Sequence, residues 1–355
     1  MNSATKNINK SKNILITGGA GFIASNFLHY WEKKYPLDNL IILDLLSYAA
    51  NFNSINGLIE KKRIEFLKGN INDFNLLTKI FEKYQITDVI NFAAETHVDR
   101  SINSPSIFLE TNVFGTYNLL DCFKNHWEAN EKPQNWRFLH ISTDEVFGSL
   151  DFADKSFTEI SPYKPRSPYS ASKAASDHIV RAWHSTYGLP TLITHCSNNY
   201  GPFQFPEKLI PLTITKILMS QKIPIYGDGS NIRDWLYVED HCSAIDLIIN
   251  NSDPGETYCI GGNNELRNID LIKHICELVD LYAPKFNIKL KHNKSFELIN
   301  YVEDRLGHDK RYAINSQKLL KKFNWKPKIN FEEGIKRTIK WYLKNLSWWQ
   351  PMIKK

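Results

Sequence analysis

The sequence is poor in sulfur, with 5 cysteines and 3 methionines among 355 residues. Cys122, Cys196, Cys242, Cys259 and Cys276 make no C-x-x-C pair. That excludes a disulfide framework and reads as reduced, buried thiols in a cytoplasmic protein. No run approaches the roughly 18 apolar residues of a membrane span. Met1–Asn13 is polar and lacks the apolar stretch of a signal peptide, so residues 1–12 read as a flexible extension. Charge of one sign is not concentrated either. Lys and Arg number 44 against 38 Asp and Glu, a formal +6, and the densest basic run is Lys61-Lys62-Arg63. This argues against nucleic-acid binding and leaves room for an anionic small substrate. No His, Cys or carboxylate cluster has ligand spacing, so no metal is expected.

What is present is the rhythm of an α/β protein. Short apolar runs at Asn13–Thr17, Leu40–Leu43, Ile64–Leu67, Val89–Ala93 and Phe138–Ser142 are strand candidates. Helical stretches fall at Gly21–Tyr35, Asp73–Tyr84 and Ile107–Trp127. Continuous apolar strands with intervening helices predict a parallel sheet covered on both faces, a doubly wound (Rossmann) domain over residues 13–202. Past Pro202 the segments shorten, as at Pro224–Gly227, Trp235–Val238 and Tyr258–Gly261. Helices are expected at Leu209–Ser220, Ile269–Ala283 and Glu332–Leu346. Residues 203–355 read mainly as a smaller mixed α/β substrate-binding region, with some later segments returning to the first domain.

Three places on this frame carry chemistry. Gly18, Gly21 and Ala24 form a G-x-x-G-x-x-A turn between the first strand and its helix. Small residues there let the backbone approach a pyrophosphate at the helix N-terminus. A glycine-rich turn alone is often only a turn, but Asp44 ends the second strand 20 residues after Ala24. A carboxylate there binds ribose hydroxyls and repels a 2′-phosphate, which predicts NAD over NADP. Tyr169 and Lys173 stand at i, i+4 on a helix, where an ammonium favours the phenolate and is expected to lower the tyrosine pKa. Asp144 and Glu145 are adjacent at the end of the fifth strand. Neighbours in a regular strand point to opposite faces, so both reach one substrate only if the chain bends. Such a pair is most often a solvated turn or a helix cap. Elimination of water, unlike plain redox chemistry or epimerisation, uses both an acid and a base.

A Y-x-x-x-K after a dinucleotide turn and five strands resembles the extended short-chain dehydrogenases/reductases. Longer segments narrow the resemblance to their dTDP-glucose 4,6-dehydratase family. These are Ala93–Ser101 (AAETHVDRS), Ser142–Val146 (STDEV), Ser197–Pro202 (SNNYGP), Phe205–Pro211 (FPEKLIP), Arg233–Asp240 (RDWLYVED) and Asp304–Asp309 (DRLGHD). The similarity runs from Ile14 to about Tyr342. It implies a lyase, a hydro-lyase acting on dTDP-glucose in deoxysugar biosynthesis, rhamnose for example, with tightly bound NAD regenerated each turnover. Oxidation at C4 would use Tyr169 as base, with Lys173 and Thr143 tuning and orienting. Glu145 would then remove the C5 proton while Asp144 protonates the leaving C6 hydroxyl, before hydride returns to C6 to give dTDP-4-keto-6-deoxy-glucose. Unequal environments for the two carboxyls would keep a proton on one and not the other.

By the same resemblance, cofactor positions are Gly18, Gly21, Phe22, Ile23, Asp44, Leu45, Leu46, Ser47, Asn70, Ile71, Phe92, Ala93, Ala94, Glu95, Thr111, Tyr169, Lys173 and Asn199. Substrate positions are Thr96, Thr143, Asn198, Lys208, Leu209, Pro224, Ile225, Tyr226, Arg233, Asn268, Asp304, Arg305, Leu306, Gly307 and His308. Lys208, Arg233 and Arg305 suit a diphosphate. The chain departs from the family pattern at Ala24 for glycine, Asn70 for aspartate, Thr96 for serine, Phe147 for tyrosine and Leu306 for proline. None removes a catalytic group. The helical segments near 107–127 and 169–187 resemble the pair that forms an intersubunit four-helix bundle, which implies a homodimer. Alternatives left open are a UDP-glucose 4,6-dehydratase, a 4-epimerase, a UDP-glucuronate decarboxylase and a non-catalytic NAD-binding sensor.

Overall fold

The computed structural model describes residues 11–353. The extension expected over residues 1–12 lies outside them as far as residue 10. Lys12 is already tied down, its Nζ 3.1 Å from Asp88.

A seven-stranded parallel sheet organises the chain. Its strands are β1 (Asn13–Thr17), β2 (Asn39–Asp44), β3 (Ile64–Lys68), β4 (Asp88–Asn91), β5 (Arg137–Thr143), β6 (Thr191–Cys196) and β10 (Thr257–Ile260), in the order β10-β6-β5-β4-β1-β2-β3. Alternate residues of β1 feed opposite faces. Ile14 and Ile16 join a core with the helices Phe22–Lys34 and Val238–Asn251. Leu15 joins another with the helices Phe74–Tyr84 and Gly115–Ala129. Both faces are thus apolar and covered, which is why these strands read as unbroken apolar runs.

Two findings differ from the sequence reading. The run Tyr258–Gly261, read with the second region, supplies the edge strand β10 of the main sheet, and the helix Val238–Asn251 packs on that sheet as well. The helix expected over Ile107–Trp127 is continuous but widens to a π-helical turn at Leu109–Phe114. Just there, the Asn112 amide accepts from Glu95 N (2.9 Å), donates to Glu95 O (3.0 Å) and reaches Ser172 Oγ (2.8 Å). A wide turn re-aims side chains within a helix, and such turns gather at functional sites.

The smaller region holds β7 (Asn198–Tyr200), β9 (Ile232–Tyr237) and β11 (Glu265–Arg267) in one sheet. A parallel pair joins β8 (Ile223–Tyr226) to β12 (Ile299–Val302). The helices Leu209–Leu218, Asn268–Tyr282 and Phe331–Lys344 bury a separate core over these strands. Sites in open α/β sheets lie outside the carboxyl ends of the strands. Here the smaller region roofs that edge.

Candidate active site

Gly18 leaves β1 with its N–H on Leu43 O (2.9 Å) and φ at +68°. A Cβ there would lie 2.8 Å from Ala93 N and Cα, so only glycine fits between the two strand ends. Gly21 then opens the helix Phe22–Lys34 with no side-chain cap, leaving first-turn N–H groups for an anion. Asp44 ends β2 buried, with Oδ2 accepting from Ala20 N (2.9 Å) and Oδ1 from Leu46 N (2.7 Å). Burial raises its pKa while those two N–H groups oppose the rise. Each oxygen keeps a lone pair for a hydroxyl donor.

These groups border a groove of about 1610 Å³ that every expected cofactor residue lines except Leu46. Leu46 has φ at +58° and packs against the sheet's hydrophobic core. Its backbone positions Asp44, and its side chain leaves the groove. An uncapped helix N-terminus, a carboxylate at the end of β2 and a glycine without room for a Cβ fit a dinucleotide.

The chain does bend at the acidic pair. Thr143 is the last residue of β5, and Asp144–Phe147 form a 3₁₀ turn. Thr143 Oγ1 accepts from Glu145 N (3.3 Å) and donates to Asp144 Oδ1 (3.4 Å). Glu145 lines the groove; Asp144 lies sealed beneath its wall, with Oδ2 unpartnered among the described residues. Burial pushes the Asp144 pKa well above the usual carboxylate range, and Glu145 and Asp234 add to it. Burial raises Glu145 too, but Lys208 and Arg233 pull it back. The two environments are unequal, as expected.

The helix Pro168–Tyr187 begins with a capping box in which Ser170 N donates to Ser167 Oγ and Ser167 N to Ser170 Oγ, both at 3.0 Å. Proline at its first position fixes the start. Tyr169 and Lys173 follow, both buried and both on the groove. Lys173 Nζ donates to Ile141 O (2.8 Å), and burial brings its pKa down to about 8. The expected lowering at Tyr169 is not found. Burial, with Glu145 nearby, raises the phenol well above its ordinary value, and only Thr143 opposes it by hydrogen bonding. Desolvation is the largest cause.

A second cavity of about 1290 Å³ meets the groove at Glu145, Asn198 and Lys208. Every expected substrate residue lines it except Thr143, which faces the groove, and Asp304. Asp304 Oδ1 instead holds the 304–308 loop, bonded to Arg305 N (2.8 Å) and His308 Nδ1 (2.6 Å). Lys208 Nζ donates to Thr96 O (3.0 Å), and Arg233 stacks 4.3 Å from the Tyr312 ring centre. Sequence reasoning did not single out Gln204, Glu207, Asp309 or Tyr312, which also line the cavity. Glu207 and Asp309 lay inside segments already recognised, a signal that was there to use. No metal-holding cluster occurs among the described residues.

The family model described as GDP-mannose 4,6 dehydratase matches residues 15–338. The dTDP-glucose 4,6-dehydratase of Salmonella typhimurium is 49% identical over 94% of this chain and 94% of its own length. That of Haemophilus influenzae is 49% identical over 94% and 99%. Among solved structures, the dTDP-glucose 4,6-dehydratase of Bacillus anthracis in complex with NAD is 43% identical. It superposes with a TM-score of 0.84 over 96% of this chain and 100% of its own. The Thermotoga maritima UDP-glucose 4-epimerase shares the fold (TM-score 0.81 over 94% of this chain and 99% of its own) at 25% identity.

Proposed function

The chain belongs to the dTDP-glucose 4,6-dehydratase family, and from that membership we propose how its residues divide the work. It is a hydro-lyase that dehydrates dTDP-glucose to dTDP-4-keto-6-deoxy-glucose with NAD as cofactor, a step of deoxysugar biosynthesis. NAD, when bound, supplies the hydride acceptor for C4 and, once reduced, the hydride donor for C6.

In our reading Tyr169 accepts the proton of the C4 hydroxyl, with Lys173 as its cation and Thr143 holding the phenol oxygen. Ionising so buried a phenol needs the positive partner. Glu145, open to both cavities, its pKa raised by burial against the pull of Lys208 and Arg233, takes the C5 proton. Asp144, which keeps its proton because burial and Glu145 hold its pKa high, delivers it to the departing C6 hydroxyl once its carboxyl turns out from beneath the groove wall. Lys208, Arg233 and Arg305 hold the diphosphate, with NAD bound mainly by residues 13–202 and the sugar nucleotide mainly by 203–355. The observation that carries this is the bend at Asp144–Glu145, which sets two adjacent carboxyls in unlike surroundings, Glu145 where the cavities meet and Asp144 beneath the groove wall.

The test is mass spectrometry of dTDP-glucose, deuterated at C4, incubated with purified protein and no added NAD. Loss of one water with deuterium at C6 is expected. An unchanged mass would overturn the reading in favour of an epimerase or a sensor. Asp144→Asn with Glu145→Gln should cut turnover by about 10² or more.

We further infer a homodimer. The helical segments 98–129 and 168–187 present exposed Ile102, Ile107, Leu109, Phe114, Tyr117 and Tyr187, apolar side chains that a second copy would cover. The five free, buried cysteines suit a reducing compartment, and we place the protein in the cytoplasm. No helix among the described residues is long and apolar enough to cross a membrane.

A further inference from the structure

Asn70 lines the cofactor groove just past the end of β3, and its amide is held in one direction. β3 lies beside β2, with Lys68 paired to Asp44 and Gly69 N donating to Asp44 O (3.0 Å). The strands follow one another in the order β1-β2-β3. A pyrophosphate at the end of β1 and a ribose on Asp44 at the end of β2 therefore carry the purine outward, over the end of β3. The ribose holds a purine through N9, so the far edge of the ring, with its 6-substituent, is the part that meets Asn70. Leu45, Ala49 and Ala50 after β2 and Ile71 after β3 also line the groove. Their apolar side chains give the ring contact but no hydrogen bond.

Asn72 N donates to Asn70 Oδ1 (2.9 Å). An N–H can only donate, so the amide atom it meets is the oxygen. Asn72 does not line the groove, so that oxygen is turned away from it. The other amide atom, Nδ2, can only donate, and it has no partner among the described residues. The turn around it is fixed as well. Asp73 N donates to Asn70 O (3.0 Å), and Asp73 Oδ1 accepts from Leu76 N (2.9 Å) to cap the helix Phe74–Tyr84.

A purine 6-amino group is itself a donor, and two facing donors make no bond. Turning the amide over to accept from it would set Nδ2 against the Asn72 N–H, so the bond gained is matched by a bond lost. A 6-oxo group is an acceptor and takes an Nδ2 hydrogen with the amide as it stands. The aspartate of the family pattern would reverse this. One carboxylate oxygen would keep the Asn72 N–H, while the other would accept from a 6-amino group and repel a 6-oxo group.

We propose that Asn70 is a specificity-determining residue for the purine of the cofactor, its fixed amide presenting a donor to the 6-position so that the site takes a 6-oxo purine dinucleotide where a carboxylate would reject it. It rests on the groove as the NAD site and not on the roles given to Tyr169, Asp144 and Glu145. NAD still binds, because the pyrophosphate and ribose positions do not involve Asn70.

The probes are NAD and nicotinamide hypoxanthine dinucleotide, which carries a 6-oxo group in place of the 6-amino group. Holoenzyme, wild type and Asn70→Asp, is kept in a large equimolar excess of both until the bound ratio stops changing, and is then desalted. The dinucleotides released on denaturation are separated by chromatography and quantified. The bound ratio of 6-oxo dinucleotide to NAD should be at least about tenfold larger in wild type than in Asn70→Asp, the discrimination of one hydrogen bond to a charged group. A new charge that weakens both dinucleotides alike cancels in the ratio, as does any contact at N1 of the ring. Equal ratios in the two proteins overturn the proposal. Should Asn70→Asp not fold, Asn70→Ala decides. Having neither donor nor acceptor, it should show a ratio about threefold below wild type, and a ratio equal to wild type or higher overturns the proposal. Recovery of no dinucleotide from any of the proteins would sink the reading of the groove and the proposal with it, whereas recovered NAD with equal ratios sinks the role of Asn70 alone.

Discussion

Asp144 and Glu145 differ by one position and one methylene, yet only Glu145 meets both cavities. Asp144 is held proton-bearing by burial and by its neighbours Glu145 and Asp234, against which Arg233 and Thr143 work. A carboxyl whose folded pKa is raised leaves stability intact below its unfolded pKa. It costs stability as pH climbs from there toward the folded pKa, because the unfolded chain ionises first. Asp144→Asn removes that cost. We expect this variant to be nearly inactive and yet to melt at least about 2 °C higher than wild type at pH 7.5. The gain should vanish below about pH 3, under the unfolded pKa, where the aspartate is protonated in both states. Thermal unfolding at the two pH values decides it, and a variant that melts lower at pH 7.5 would show that the site holds the ionised carboxylate. Strain of this kind is stored where chemistry uses it.

At the scale of elements, the stretch 98–129 does two jobs at once. Its inner side carries Thr111 to the cofactor groove and Asn112 to Glu95 and Ser172 through the π-helical turn, while Phe114 in the same turn is 61% exposed. If that face joins two copies, Phe114→Glu desolvates a charge in an apolar contact. Light scattering at micromolar concentration should then find a dimer in wild type and a monomer in the variant. A wild-type monomer would overturn the dimer. The elements also show what a sequence discloses. β1, β2, β4 and β5 are buried on both faces, so each appears as an apolar run. β6 reads Thr191-Leu192-Ile193-Thr194-His195-Cys196, and its polar residues, buried in the sheet, hid it. β10 was visible as a strand but not as a neighbour of β6, since pairing partners 64 residues apart, such as Thr257 and Ile193, leave no local trace. The acidic pair and the Tyr169–Lys173 spacing were legible because local spacing carries them. The buried contact of Asp177 with His140 and His195 was not, because three separate elements supply it. Burial, which set the Tyr169 and Lys173 pKa values, is a property of the folded whole.

For the whole molecule, the two regions are strapped together across the mouth of the site. Tyr48, just past β2, donates to Glu207 Oε1 (2.9 Å), and the Arg100 guanidinium lies 3.6 Å from the Tyr48 ring centre. Lys208 Nζ reaches Thr96 O (3.0 Å), and Arg305 Nε pairs with Asp99 Oδ1 (3.0 Å). Each strap joins a loop of the large sheet to the smaller region, and Glu207 and Lys208 also line the cofactor groove. A cofactor restored every turnover gains nothing by leaving, so a closed mouth costs the cycle only the passage of sugar nucleotide. The straps are unequal. Arg305–Asp99 is about one-third exposed on each side, where an ion pair contributes little. Tyr48–Glu207 is a part-buried, charge-assisted bond stacked beneath an arginine, and its loss leaves a carboxylate facing the groove without its donor. Tyr48→Phe removes that donor and keeps the ring under Arg100. NAD should escape about tenfold to a hundredfold faster from this variant, the span of a hydrogen bond of about 1.5–3 kcal/mol to a charged group. Repeated desalting, followed by turnover without added NAD, reads the loss directly. Wild type should keep its activity, Tyr48→Phe should lose it and recover it on addition of NAD, and equal retention by both would mean that the Rossmann groove holds the cofactor without the straps.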